Sequence, residues 1–219
     1  IATRFSEDDM PRAWSLVGPY GSGKSSFALF LSHLLADPIL KTTKAAQQLL
    51  KKTDPDLEAL LRAETKGTQG YVEVLISGTP ERLSLRYLRG LQEAMTKYWQ
   101  GRKGKKPTVF TGLAAASDLG EVSVSELVEL TKACQAALTK VGCPGMMIVF
   151  DEFGKFLEFE SRTAGVNDTF LLQALAEHAH AANSTKILLL VLLHQSIEQY
   201  ARGVGESLKN EWAKIQGRF

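Results

Sequence analysis

The sequence predicts an α/β fold: a parallel β-sheet with helices on both faces, a three-layer sandwich. Three observations carry this expectation. A short apolar segment, Ala13-Trp-Ser-Leu-Val17, leads into a glycine-rich loop and then a helix-forming stretch. Two later runs, Met146-Met-Ile-Val-Phe150 and Lys186–Leu193, are apolar at nearly every position, as strands buried on both faces are. Between the strand candidates lie long segments with apolar residues at helical spacing, so that strands and helices alternate.

Residues 1–12 are polar, with Glu7-Asp8-Asp9 and Pro11, and form an approach to the first strand. The loop after that strand, Gly18-Pro-Tyr-Gly-Ser-Gly23-Lys24-Ser25, fits G-x-x-x-x-G-K-[ST], the P-loop or Walker A pattern. A strand before it and a helix after it, Ser26 to Ala36, are the flanks this pattern needs. Glycine permits φ > 0 and lets a ligand approach the backbone closely. Successive N–H groups and the start of the helix then favour an anion. The pattern assigns Gly18, Pro19, Tyr20, Gly21, Ser22, Gly23, Lys24, Ser25 and Ser26 to the phosphates of ATP. Lys24 reaches the β- and γ-phosphates, and the Ser25 hydroxyl ligates Mg²⁺.

Asp37-Pro38 ends the first helix, because a residue before proline disfavours the helical region. Leu49-Leu50, Leu57 and Leu60-Leu61 within residues 41–66 predict two helices broken near Asp54-Pro55. Gly67–Gly70 predicts a turn and Tyr71–Ile76 a strand. Thr79-Pro80-Glu81, with proline at the first helical position, predicts a helix to about Trp99. Gly101-Arg-Lys-Gly-Lys-Lys106 is basic without an acid. Lys97, Arg102, Lys103, Lys105 and Lys106 are therefore candidates for contact with nucleic acid through its phosphates, against the plainer reading of a solvated loop. Thr108–Thr111 predicts a short strand. Ser123, with Glu126 three residues on, predicts a capped helix that ends at Gly142. Residues 37–122 thus form an enlarged, partly helical region within a single domain spanning 1–219.

Met146–Phe150 is followed by Asp151-Glu152. An acid at the carboxyl end of a buried parallel strand lies where ligands bind in open α/β sheets. This resembles a Walker B motif. Asp151 supports the Mg²⁺ shell, and Glu152 orients or deprotonates the attacking water. Asn167–Asn183 predicts a helix, and His178 and His180 have no metal-ligand spacing with a cysteine pair. Lys186–Leu193 ends in His194-Gln195-Ser196, polar groups at the ligand edge. Ser196–Arg202 and Glu206–Gln216 predict helices before Gly217-Arg218-Phe219.

From Trp14 to Phe219 this order resembles the AAA+ family of P-loop ATPases. The resemblance implies a polar residue after the Walker B-following strand that senses the γ-phosphate. His194 or Gln195 takes that place, with Gln195 preferred. It also implies an arginine, matched by Arg218, that reaches a neighbouring subunit's site in a homo-oligomer. A fifth strand and a helical lid are expected beyond Phe219. Trp14 to Ser26, Leu193-His-Gln-Ser and Glu211–Phe219 are also similar to large bacterial ATP-binding proteins found with anti-phage defence genes, which implies protein partners in a larger system.

Composition narrows the alternatives. A net charge of +2 points to no partner class, and no run of 18 apolar residues marks a membrane span. Cys134 and Cys143 are too few for a disulfide framework and suit reduced thiols in the cytoplasm. The chain starts with Ile1, so a natural start upstream is expected. A small-molecule kinase is disfavoured by the lack of an arginine-rich lid after the P-loop. A transporter-type or SMC-type ATPase lacks its Leu-Ser-Gly-Gly-Gln signature, and guanine specificity lacks Asn-Lys-x-Asp. The leading expectation is an ATP hydrolase coupling nucleotide state to assembly or to work on nucleic acid. The alternative is a slow nucleotide-dependent switch or scaffold, such as an initiator-like ATP-binding module.

Overall fold

The computed structural model describes residues 12–100, 105–163, 168–180, 185–202 and 204–219. Four strands form one parallel sheet: β1 (Ala13–Val17), β2 (Val72–Ser77), β3 (Gly145–Asp151) and β4 (Lys186–Leu193). Their spatial order is β1-β4-β3-β2. Position in the sheet explains composition. The central strands β3 and β4 are buried along almost their whole length, whereas β1 and β2 alternate in exposure. Continuous apolar runs suit strands covered on both faces; alternation suits the edges.

One face is covered by α1 (Lys24–Leu35), α2 (Lys41–Thr53) and α3 (Pro55–Thr65). Leu31, Leu34 and Leu35 of α1, Ala46 of α2 and Leu61 of α3 meet Met147, Val149, Leu188, Leu190 and Leu192 there. Asp54 separates α2 from α3 and caps the latter, its carboxylate accepting the Leu57 N–H at 2.9 Å. The break predicted near Asp54-Pro55 is thus a capped junction.

The other face carries the larger core. It is built by α4 (Leu83–Trp99), α5 (Val109–Leu119), α6 (Val124–Thr139), α8 (Phe170–His180) and α10 (Glu206–Gln216), with α7 (Gly154–Arg162) and the short α9 (Ile197–Tyr200) near the strand ends. The Ser123 hydroxyl accepts the Glu126 N–H at 3.2 Å, the cap expected for α6.

Buried polar groups tie this face together. Asp168 accepts from Arg82 Nε and Nη2, both at 3.0 Å, and from the Ser84 hydroxyl at 2.7 Å. Burial alone would raise the Asp168 pKa, but the hydrogen bonds from Arg82 and Ser84 and the Arg82 charge bring it below the ordinary value. Glu160 accepts from the Thr169 N–H at 3.3 Å and Trp212 Nε1 at 3.2 Å. Burial is the larger influence there and pushes its pKa up.

Two expectations are corrected. Thr108–Thr111 is not a strand: Val109 opens α5, because Val109, Leu113 and Ala116 share one buried helical face. The helix expected from Thr79-Pro80-Glu81 begins at Leu83. Thr79 and Glu81 instead close a local turn, Thr79 Oγ1 donating to Glu81 Oε1 at 2.6 Å and Glu81 N–H to the Thr79 carbonyl at 2.8 Å. α7 had no counterpart in the sequence reading, although Phe153, Phe156, Leu157 and Glu160 are spaced as one helical face and are all buried. Asn167 and residues 181–184, at the expected ends of α8, lie outside the described residues.

Candidate functional site

The carboxyl ends of β1, β3 and β4 converge on a cleft of about 230 Å³. It is lined by Tyr20 to Ser26 from the loop after β1, by Asp151 and Glu152 after β3, and by Leu192, Leu193 and His194 at the end of β4. β4 holds both loops in register. The Leu193 carbonyl accepts the Gly18 N–H, and the Leu192 carbonyl accepts the Phe153 N–H, each at 3.1 Å. The two segments singled out by motif, more than a hundred residues apart in the chain, are thus hung from adjacent carbonyls of one buried strand.

Gly21 and Gly23 take φ of 76° and 85°, a region costly for residues bearing a Cβ, and α1 starts at the next residue, Lys24. The Lys24 ammonium folds back on its own loop. It donates to the Gly18 carbonyl at 2.6 Å, to the Pro19 carbonyl at 2.9 Å and to Ser22 Oγ at 3.2 Å. The loop carbonyls therefore hold the cation at the mouth of the nest. Ser25 and Ser26 line the same cleft.

Glu152 is the one residue other than glycine with positive φ among the described residues, at 52°. Its N–H donates to Asp151 Oδ1 at 2.8 Å. The Gly78 N–H donates to the Asp151 carbonyl at 2.8 Å, and a Cβ on Gly78 would lie 2.2 Å from the Glu152 carbonyl oxygen. The β2 terminus thus clamps the acidic turn through backbone contact that only glycine allows. A left-handed glutamate costs on the order of 1–3 kcal/mol, and such strain concentrates at functional sites.

Lys155, three residues on, forms an ion pair with Glu152. The hydrogen bond to Glu152 and the charges of Glu152 and Asp151 push the Lys155 pKa up, so the base candidate is matched to a permanent cation. Tyr20 stacks on His194, centroids 4.9 Å apart and rings 19° from parallel. His194 Nδ1 lies 2.6 Å from the Tyr200 hydroxyl, whose pKa burial drives up. Neither Lys155 nor the Tyr20–His194–Tyr200 chain was legible in the motifs; the i, i+3 spacing of Glu152 and Lys155 was the available signal.

Other candidates lie elsewhere. Gln195 is half-buried and, unlike His194, is not part of the cleft lining. Arg218 sits beyond α10, its Nη2 2.9 Å from Glu177 Oε1, while His180 Nε2 lies 3.2 Å from the Arg218 carbonyl oxygen. Lys97 pairs with Glu73 at 3.6 Å, Lys106 lies 5.3 Å from the Phe110 ring centroid, and Lys105 is exposed. Arg102 and Lys103 lie outside the described residues.

Chemically, the cleft offers a backbone nest with a lysine on one wall and two carboxylates on the other. Ser25 and Asp151 are hard oxygen donors, the set that suits Mg²⁺. No group of three His, Cys, Asp or Glu that could hold a metal by protein ligands alone occurs among the described residues, and no helix among them is long and apolar enough to cross a membrane. No protein-family model, curated protein or solved structure matches the chain.

Proposed function

We propose that this chain binds Mg²⁺-ATP at Gly18–Ser26 and hydrolyses it, as an AAA+-like P-loop ATPase. The observation that carries the reading is the single cleft in which Tyr20–Ser26 face Asp151 and Glu152. The loop N–H groups and Lys24 bind the phosphates. Ser25 and Asp151 would hold Mg²⁺, which would supply charge neutralisation at the β- and γ-phosphates. Glu152 takes a proton from the attacking water, which requires that its carboxylate leave Lys155. His194, already at the cleft, is better placed than Gln195 to contact the γ-phosphate. The all-parallel sheet between two helical layers is compatible with a P-loop sandwich.

The assembly is proposed to be a homo-oligomer working with nucleic acid or with protein partners in anti-phage defence. Arg218 lies outside the chain's own cleft, on an exposed ion pair with Glu177, and serving a neighbour's cleft requires that it leave Glu177. A slow switch is the second reading, favoured by one observation: Lys155 occupies the carboxylate that hydrolysis needs.

The test measures Mg²⁺-ATP binding and turnover together. Glu152→Gln is expected to keep binding while turnover falls at least ~100-fold. Mixing Glu152→Gln with Arg218→Ala subunits is expected to restore part of the activity that each lacks alone, since a trans arginine contributes on the order of 10³–10⁵ in rate. Wild-type turnover by Glu152→Gln removes the hydrolytic assignment. Verified mixed oligomers without recovery confine Arg218 to its own subunit.

A further inference from the structure

We infer that the outward face of α2 is a docking surface for the phosphate backbone of a DNA duplex. None of its residues lines the proposed nucleotide cleft; its N-terminal end, at Leu40, shares a second cleft with Lys97 and Gln100. α2 has the sequence KTTKAAQQLLKKT, four lysines and no acid. At about 100° per residue, Lys41, Lys44, Gln48, Lys51 and Lys52 fall in one sector about 100° wide. That sector lies opposite Thr43 and Ala46, which are the buried residues of the helix. All five side chains are exposed. The row from Lys41 to Lys51 runs ~15 Å along the helix axis.

Elsewhere Lys97, Lys132, Lys155, Lys186 and Lys209 each lie within 4 Å of a carboxylate. Among the described residues, none of the four lysines of α2 has such a partner. The acid nearest in sequence to Lys51 and Lys52, Asp54, is spent on capping α3. Four like charges on one helix face repel one another; the helix dipole favours Lys51 and Lys52 in the last turn but opposes Lys41 and Lys44 in the first. A polyanion removes the repulsion.

The make-up of the row selects the polyanion. Lysine and glutamine are residues that contact phosphate and sugar in duplex complexes. The sector holds no aromatic side chain, so it has no platform for stacking the bases of a single strand. The sector itself holds no large apolar side chain to enter a bilayer: the exposed Ile39, Leu40 and Leu49 lie beside it, and the apolar side of α2 is already covered by α1 and α3. A straight, rigid row of point charges fits a stiff duplex backbone, and such contacts position without reading sequence.

The test is done without nucleotide, so that it stands or falls independently of the ATPase reading. Binding of a labelled mixed-sequence duplex is followed by fluorescence anisotropy against salt. Wild-type affinity is expected to drop on the order of 100-fold between about 50 and 200 mM salt, and the combined Lys41→Gln, Lys44→Gln, Lys51→Gln and Lys52→Gln variant is expected to flatten the log–log slope by about 3. Should that variant fold poorly, the pairs Lys41→Gln/Lys44→Gln and Lys51→Gln/Lys52→Gln must each remove about half of the change. Lys105→Gln/Lys106→Gln serves as the comparison and is expected to leave the α2-dependent slope in place. No duplex binding at low salt overturns the proposal, as does an unchanged slope. Equal, lysine-dependent binding to oligo-dT, or preferential co-sedimentation with phosphatidylglycerol vesicles, also overturns it by assigning the surface to another partner.

Discussion

The two faces of the sheet are covered by layers of different construction. On the α4–α6, α8 and α10 side, a large apolar core is crossed by buried polar ties: Arg82–Asp168–Ser84, Trp212–Glu160–Thr169 and Tyr87–Thr131. On the α1–α3 side the core is smaller. The long-range side-chain tie described there joins Lys186 and Tyr71 to Glu64 at the strand starts, away from the cleft. The lightly tied layer carries the P-loop and the lysine row; the heavily tied layer supports β3 and β4. Buried, satisfied polar groups fix a geometry; the lighter layer has fewer of them.

Substitutions should separate the two layers. The largest stability effect is expected from Asp168→Ala, which leaves Arg82 without its carboxylate. The loss should be about 2–3 kcal/mol by urea unfolding, less than for a wholly buried pair because Arg82 keeps 36% of its side chain in water. A loss below 0.5 kcal/mol, the size of an ordinary surface change, would remove the platform side of the contrast.

Lys24→Ala should behave in the opposite way. Nucleotide affinity should fall by the value of a charge-assisted contact, about 1.5–3 kcal/mol, with unfolding of the nucleotide-free protein changed by less than about 0.5 kcal/mol. Calorimetry and unfolding on the same preparation check both halves. Unchanged affinity would detach Lys24 from ligand binding.

The smallest effect is one of pH. The folded Glu160 binds its proton more tightly than the unfolded one. Over the window between the ordinary glutamate pKa and its raised value, stability therefore falls as pH rises. Asp168, whose pKa is lowered, does the reverse: its contribution is present above the ordinary aspartate pKa and is lost as pH drops through the folded value. Glu160→Gln should gain on wild type as pH rises above about 4.3, by less than ~1.4 kcal/mol per pH unit. Asp168→Asn should lose on wild type as pH rises from acid. Parallel curves for both variants would show that neither carboxyl is perturbed by its surroundings.

Much of the sheet and one half of the cleft were legible. β1 and β4 have the bounds their apolar runs predict, because continuous burial leaves a plain pattern. The glycine loop and Asp151-Glu152 were found by spacing, since each serves a local backbone geometry. What escaped depends on distant partners. α5 overrides the strand preference of Val109 because its face meets α4 and α6. α4 begins at Leu83 beside Arg82, which reaches across the chain to Asp168. Glu152 takes its positive φ where the backbone of Gly78 packs against it, and no short window holds both residues. His194 entered the cleft ahead of Gln195 because Tyr20 and Tyr200 hold its ring on two sides.

The strand order also bears on how the chain matures. β1 finds its sheet neighbour in β4, with Ala13 paired to Leu189. A ribosome releases β1 first and β4 long afterwards. Pairing so distant along the chain is slow, since the entropy of closing the loop comes before any contact repays it. Until β4 emerges, Trp14 and Leu16 have no strand beside them and the glycine loop has no Leu193 carbonyl to hang from. The glycine-rich loop is therefore among the last parts to take shape during synthesis. A nascent chain stalled before β4 would leave that loop without its anchor and the apolar side of β1 exposed to chaperones.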